Sequence, residues 1–440
     1  RYADLAGTQL VAQSDYTYDQ AGRLRNLAHF RGQTTFVEHT WNFDAANRMT
    51  QYINSIDGTA DYTSDAAGQL TAADYDYQSD ESYQYDDNGN RITANGSTYT
   101  TGDNNQLLSD GTYRYQYDAE GNRTLRFIDA NQNGQLDAGD TDITQYTWDH
   151  RNRLVKVEHR ASYAAAVDRV IENAYDYANR WVRRRLDSDG DGHTDQRRIF
   201  VYDGNQIVLD FRRTGSGQVQ AGDLEWRYLW GPAVDQILAE ENVDNGTDET
   251  IQWNLTDHLN TVRDIAKYNS GSDMTTVVNH LIYDAFGRVT AETNSAVDSL
   301  FLFTGRAFDS QTELQNNLNR WYDPAVGRWL SEEVVGWVLC THAHWDRGHE
   351  KRTARGVALG PVRSASNSAI RASNRRMMAW DCGGWRAMIS SVTAASMPTV
   401  VPQKPYSRPD PFFKKTSPGC ERLPCPFPAR STAGPPTPTP

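Results

Sequence analysis

The sequence predicts an all-β protein built from repeated hairpins, followed by a tail of a different character. Three observations carry that prediction. A short aromatic–Asp–Gly/Asn motif recurs along most of the chain. Aromatic residues make up 11% of it, with 23 Tyr and 12 Trp, and flat rings pack well on pleated surfaces. Composition then breaks sharply near residue 333.

The units are YTYDQAGRL (16–24), WNFDAANRM (41–49), YTSDAAGQL (62–70), YQYDDNGNR (83–91), YQYDAEGNR (115–123), YTWDHRNRL (146–154), YDYANR (175–180) and YDAFGRV (283–289). Tyr83 and Tyr85, like Tyr115 and Tyr117, sit two residues apart, so on a strand they share one face. The Asp that follows starts a turn, because its carboxylate can accept backbone N–H groups. Gly or Asn two or three residues later takes positive φ at little cost. Arg or Leu begins the return strand. One hairpin cannot bury its aromatic face alone, whereas a stack of them can.

The charge distribution divides the chain. Residues 334–440 carry 15 Lys+Arg and 5 Asp+Glu, a balance of +10. Subtraction from the totals of 44 and 57 leaves 29 basic and 52 acidic residues before them, a balance of −23. All four cysteines and 14 of the 16 prolines also lie in the tail. The overall charge of −13 argues against nucleic acid as a principal partner. No apolar run reaches the roughly 18 residues of a membrane-spanning helix. The cysteine-free body must draw its stability from packing, hydrogen bonds or ions. The chain opens in mid-pattern at RYADLAG, as a fragment would, so the missing signal sequence does not locate the parent protein.

Two acidic loops interrupt the hairpins. DANQNGQLDAGD (129–140) places Asp129, Asn131, Asn133, Gln135, Asp137 and Asp140 at the ligand positions of a 12-residue Ca²⁺ loop, with Gly134 sixth. Gln135 would contribute its carbonyl. DSDGDGHTD (187–195) repeats the first nine positions through Asp187, Asp189, Asp191, His193 and Asp195, but its twelfth residue is Arg198. With strands predicted on either side of the first loop, structural Ca²⁺ at hairpin turns is the expectation. An ion-free Asp/Gly turn is the alternative.

In the tail, THAHWD carries His342, His344 and Asp346 in metallohydrolase-like spacing. Such a site needs further His and carboxylate ligands downstream. His349 is the last histidine, so a tail-borne hydrolase is not supported. The Pro-rich end, including Cys420 and Cys425, is expected to stay extended or disordered. Asn95, Asn245 and Asn254 fit the glycan-acceptor pattern, though Asn-Gly turns explain the first two. His258, beside Asp257, reads as a structural histidine.

The repeats resemble the YD-repeat, or Rhs, family. EWRYLWGPAVDQILAEE (225–241), WNLTDHLNTVRDI (253–265), YDAFGRV (283–289), FLFTGRAFD (301–309) and RWYDPAVGRWLS (320–331) are similar, in order, to the Rhs-associated core. The resemblance implies a spiralling YD-repeat sheet or hollow shell over residues 1–224, a core domain over 225–333 and a variable tail over 334–440. It further implies a secreted or cell-surface bacterial protein with a non-catalytic role. Its partners would be a C-terminal effector segment or a neighbouring-cell surface; the alternative reading is a carbohydrate-binding surface protein whose exposed Tyr and Trp stack on glycans. In toxin members the core ends in Ser-x-Asp-Pro-x-Gly and cleaves itself. Here Ser331 and Gly336 match, but Glu333 and Val334 replace the Asp and Pro, so the family's cleavage residues cannot be placed. The abrupt break within an incomplete core pattern suggests a shifted reading frame or a recombined end.

Overall fold

The computed structural model describes residues 1–243 and 251–332. The expectations for the tail, including His342, His344, Asp346 and the cysteines, lie outside the described residues. So do Asn245 and most of the cleavage-segment comparison.

The described residues form antiparallel strands and short 3-10 turns in three sheets. The first sheet has nine strands, from β1 (Gln13–Tyr18) to β9 (Ser97–Thr98). The second has sixteen, from β10 (Thr100–Thr101) to β25 (Val289–Glu292). A third contains β26 (Ala307–Asp309), β27 (Leu314–Asn317), β28 (Arg320–Asp323) and β29 (Arg328–Trp329). Strand order follows chain order throughout. Every pairing is therefore a local hairpin step, as the repeat demands.

The motif builds one turn many times. Asp149 is typical. Its N–H donates to Arg153 O at 3.0 Å, and Asn152 N–H donates back to Asp149 O at 2.9 Å. The Asp149 carboxylate accepts Arg151 N–H and Arg153 N–H on Oδ1 and Arg153 Nε–H on Oδ2. Asn152 sits at φ 55, in the position where Gly22, Gly89, Gly121 and Gly287 also have positive φ. The same backbone pair recurs at Asp19, Asp44, Asp65, Asp86, Asp118, Asp176, Asp257 and Asp284. Asp257 is a copy that the sequence motif does not reveal, because Thr256 replaces its aromatic.

Two further bonds tie many of the hairpins to their neighbours. Arg153 reaches across to Asp176 O at 3.1 Å, as Arg23 does to Asp44 O and Arg48 to Asp65 O. The aromatic before the Asp points its polar tip at the previous return strand. Tyr175 Oη–H donates to Leu154 O, Tyr202 to Trp181 O, Trp148 Nε1–H to Arg123 O and Tyr283 to Val262 O. Tyr or Trp at this position lets the ring pack while its polar tip makes a hydrogen bond. A bulge just before the Asp bends each hairpin: Tyr117 opposes Arg123 while Gln116 opposes Leu125, leaving Thr124 over.

The principal core joins Tyr146, Leu154, Ile171, Trp181 and Tyr228 of the second sheet to Phe301, Leu314, Trp321 and Leu330. The rings of Trp181 and Trp321 meet edge-on at 5.2 Å, and those of Tyr228 and Phe301 at 5.0 Å. Residues 300–330 are thus packed against the face of the sheet that the repeat's aromatics supply. Each large side chain buried there contributes about 1.5–3 kcal/mol.

Candidate functional site

Buried charges fasten residues 300–332 to the sheets. Arg184, on β17 (Trp181–Asp187), holds Asp309 through two bonds, Nε–Oδ2 at 2.8 Å and Nη2–Oδ1 at 2.9 Å. Their side chains are only 4% and 2% exposed. Arg123, at the start of β13 (Arg123–Ile128), reaches Asp323 at 2.7 Å. Leu330 O accepts Arg123 N–H at 2.7 Å, so the chain is buried up to Ser331. Glu240 is buried where Ser299 Oγ and Asn254 Nδ2 donate to it, and burial pushes its carboxyl up to about 7. Arg91 donates to Val326 O from the first sheet.

A second buried group joins the first and second sheets. His280 Nδ1 lies 2.6 Å from Asp264 Oδ1, and its Nε2 lies 2.5 Å from Asp57 Oδ1. Arg263 Nη2–H donates to Asp57 Oδ2 at 2.5 Å. Burial alone would lower the His280 pKa, but the hydrogen bonds to Asp264 and Asp57 outweigh it and push it up to about 9. The His258 ring packs 4.8 Å from that of Trp41, and its Nδ1 makes no hydrogen bond among the described residues. Asn254 is fully buried in the described structure, which closes it to a glycan in the folded state. Asn95 and Gly96 form the tight positive-φ turn expected of Asn-Gly.

The two acidic loops cap hairpins. The first lies between β13 and β14 (Thr141–Trp148), the second between β17 and β18 (Gln196–Asp203). In the first loop many donor oxygens already have protein partners. Asp129 pairs with Arg114 at 3.2 Å and accepts N–H groups of Asn133 and Gly134. Asp137 accepts from Asn131 and Asn133 Nδ2, and Gln135 N–H donates to Asn133 Oδ1. Buried Asp140 accepts from Ala130 and Asp137 N–H. In the second loop, carboxylate oxygens of Asp187, Asp189 and Asp195 lie within 4.8 Å of one another. Asp187 is positioned by Gly190 and Gly192 N–H, Asp195 by Ser188, and Asp191 accepts His193 N–H at 2.7 Å. Bonds from the Ser188 hydroxyl and N–H hold the Asp195 carboxyl below its usual range. The structure thus gathers three carboxylates in the loop that lacks a twelfth-position ligand.

The Arg184–Asp309, Arg123–Asp323 and His280 groups escape a sequence reading. Their partners are 125, 200 and 223 residues apart. Asp309 ends one of the core segments quoted above and Asp323 lies within another, which was the available signal.

Known proteins resemble this chain along most of its length. Residues 5–174 and 250–347 match the Teneurin YD-shell family. "Double-stranded DNA deaminase toxin A" of Burkholderia cenocepacia (strain H111) is 27% identical over 331 residues, covering 73% of this chain and 20% of the relative. Teneurin-3 of Mus musculus is 22% identical over 380 residues, covering 74% and 13%. Among solved structures, the crystal structure of TcdB2-TccC3-TEV matches at 15% identity with a TM-score of 0.46, covering 75% of this chain and 18% of its own. The chain therefore spans a fifth or less of the length of these relatives. The family match covers more than half of the chain, and with the sequential sheets and repeated Asp turns it settles the assignment: the chain belongs to the Teneurin YD-shell family.

Proposed function

We propose that residues 1–332 are a non-catalytic shell segment of a secreted or cell-surface protein, enclosing or displaying the polypeptide that follows them. The observation that carries this reading is the burial of the chain at Leu330 and Ser331, beneath Arg123 and against the core of the second sheet. The chain is thus anchored in the packed body immediately before the exposed Glu332. The name of the Burkholderia relative, a DNA deaminase toxin, supports an effector as the enclosed segment. Contact with neighbouring cells and toxin delivery belong to this proposal.

A specific protease site inserted after Glu332 in the full chain tests it. Cleavage of the native protein should be at least about tenfold slower than of the urea-unfolded chain, because the site must open first. Equal rates would refute enclosure.

The second acidic loop is proposed to hold Ca²⁺ through Asp187, Asp189 and Asp195, bracing the β17–β18 turn. Hard oxygen donors converging on one point suit that ion. Calcium at a hundred times its Kd would add about 2.7 kcal/mol to stability, raising Tm by several degrees. Asp189→Asn should remove most of the rise, and any remainder would belong to the loop at 129–140. A Tm insensitive to millimolar calcium would rule out both loops.

A further inference from the structure

We infer that the chain carries a binding site for a sugar acid, at a place distinct from the acidic loops and independent of the shell reading. A polar cavity of about 290 Å³ lies between the second sheet and the turn Ser310–Gln311–Thr312–Glu313 that joins β26 to β27. Strand register builds its wall. Arg126 on β13 opposes Thr144 on β14, Thr144 opposes His159 on β15 (Leu154–Ser162), and His159 opposes Arg169 on β16 (Arg169–Tyr175). Directly opposed residues share a face. The four side chains thus form one row, with a guanidinium at each end and a hydroxyl and an imidazole between them.

The hydrogen bonding of the row leaves donors over. His159 is fixed at both nitrogens, by Asp168 at 2.6 Å and Asp142 at 3.0 Å. Tyr113 Oη–H donates to the other Asp142 oxygen at 2.6 Å. Asp142 is therefore largely satisfied, and its contact with Arg126 Nη2 is a loose 4.0 Å. The Nε–H groups of Arg126 and Arg169 are buried and make no hydrogen bond among the described residues. Arg123, Arg197, Arg212 and Arg213 also have a buried Nε–H without a partner among the described residues, but Arg126 and Arg169 are the two that line this cavity. Asp142 and Glu313 also line the cavity, but Asp142 is already bonded to His159 and Tyr113, so the two guanidinium N–H groups are where an anionic guest would be held. Arginine's planar fork fits a carboxylate.

The rest of the lining points to hydroxyl groups on the same guest. Thr144, Ser310, Gln311 and Thr312 offer hydroxyl and amide groups, and Val157 is the one aliphatic side chain among the lining residues. A wall this polar suits a polyhydroxylated molecule better than a fatty or aromatic acid. The volume suits one pyranose ring. A hexuronate combines the carboxylate, the hydroxyls and the size.

Titration of the full chain with D-glucuronate, D-glucose and inorganic phosphate, followed by calorimetry or saturation-transfer NMR, tests the site. Glucuronate should bind saturably, and glucose and phosphate at least about tenfold more weakly. Arg169→Gln should weaken glucuronate by about tenfold or more while leaving Tm near that of the parent, since its Nε–H has no protein partner to lose. Thr144→Val, similar in shape, should weaken the sugar acid without changing phosphate binding. No saturable glucuronate binding, undiminished binding by Arg169→Gln, or phosphate binding as tightly as glucuronate would each overturn the assignment.

Discussion

Asp309→Ala is expected to destabilise the protein by about 3–5 kcal/mol, measured by urea denaturation at neutral pH. The side chain removed is small, so the void it leaves is a minor part of that cost. The larger part comes from Arg184, which stays ionised in a site where its side chain is 4% exposed. Among the described residues its one other polar contact from the guanidinium, to Gln196 Oε1, is long at 3.4 Å, too weak to replace two short bonds to a carboxylate. Asp309 also accepts Gln311 N–H at 3.0 Å and so shapes the turn after β26. The double variant Arg184→Met/Asp309→Leu should recover much of the loss, because replacing both charges removes the unpaired ion. If Asp309→Ala costs less than about 1 kcal/mol, the pair is not what holds the third sheet to the second. The same reasoning applies to Asp323 and the fully buried Arg123.

The contrast between these pairs and the turns explains what the sequence made legible. A turn is written in five consecutive residues, and its carboxylate, positive-φ residue and return-strand Arg are all local. Asp19, Asp44, Asp149 and Asp176 accordingly form the same bonds in their separate hairpins. Where the aromatic was lost, as before Asp257, pattern reading missed a turn whose backbone is nevertheless the same. Leu302 makes the point more sharply. It occupies the Asp position of a similar turn, with Leu302 N–H bonded to Arg306 O and Gly305 N–H to Leu302 O. There the positive φ of Thr304 and Gly305, 55 and 65, closes the turn without a carboxylate. The acidic loops were legible as places, since both fall between hairpin strands. Which oxygens converge was not legible, because Arg114 and the Asn side chains compete for the first loop. Long-range fastening was illegible for a simpler reason. A charged residue in a strand names no partner until the winding of the sheets brings one beside it.

The His280 group makes stability fall on the alkaline side. Protonated His280 stands between the carboxylates of Asp264 and Asp57, with Arg263 completing a set of two anions and two cations. Tyr52, Tyr77 and Asp257 also act on Arg263 at this place. The folded His280 pKa of about 9 exceeds the ordinary 6.5, so the folded state holds this proton more tightly than the unfolded chain. Its contribution is fully present below pH 6.5 and is lost as pH rises through 9. A difference of that size corresponds to about 3 kcal/mol. Glu240 acts in the same direction at lower pH. Its carboxyl, raised from 4.5 to about 7 by burial, contributes fully below 4.5 and loses its contribution by 7. Unfolding free energy should therefore decline in two stages between pH 4.5 and 9, as read by urea titrations at unit steps. Glu240→Gln should flatten the first stage, since an amide keeps an oxygen for Ser299 and Asn254 and carries no charge to bury. His280→Gln should lower stability near pH 6 and flatten the second stage. Retention of the alkaline decline by His280→Gln would show that another group carries it. If the decline goes with His280, the contact between the β4 (Met49–Asn54) to β5 (Gly58–Ser64) turn and the second sheet is a latch that loosens with base. The Arg91–Val326 contact, which involves no titrating acid or imidazole, would still hold the first sheet to the third after the latch has opened.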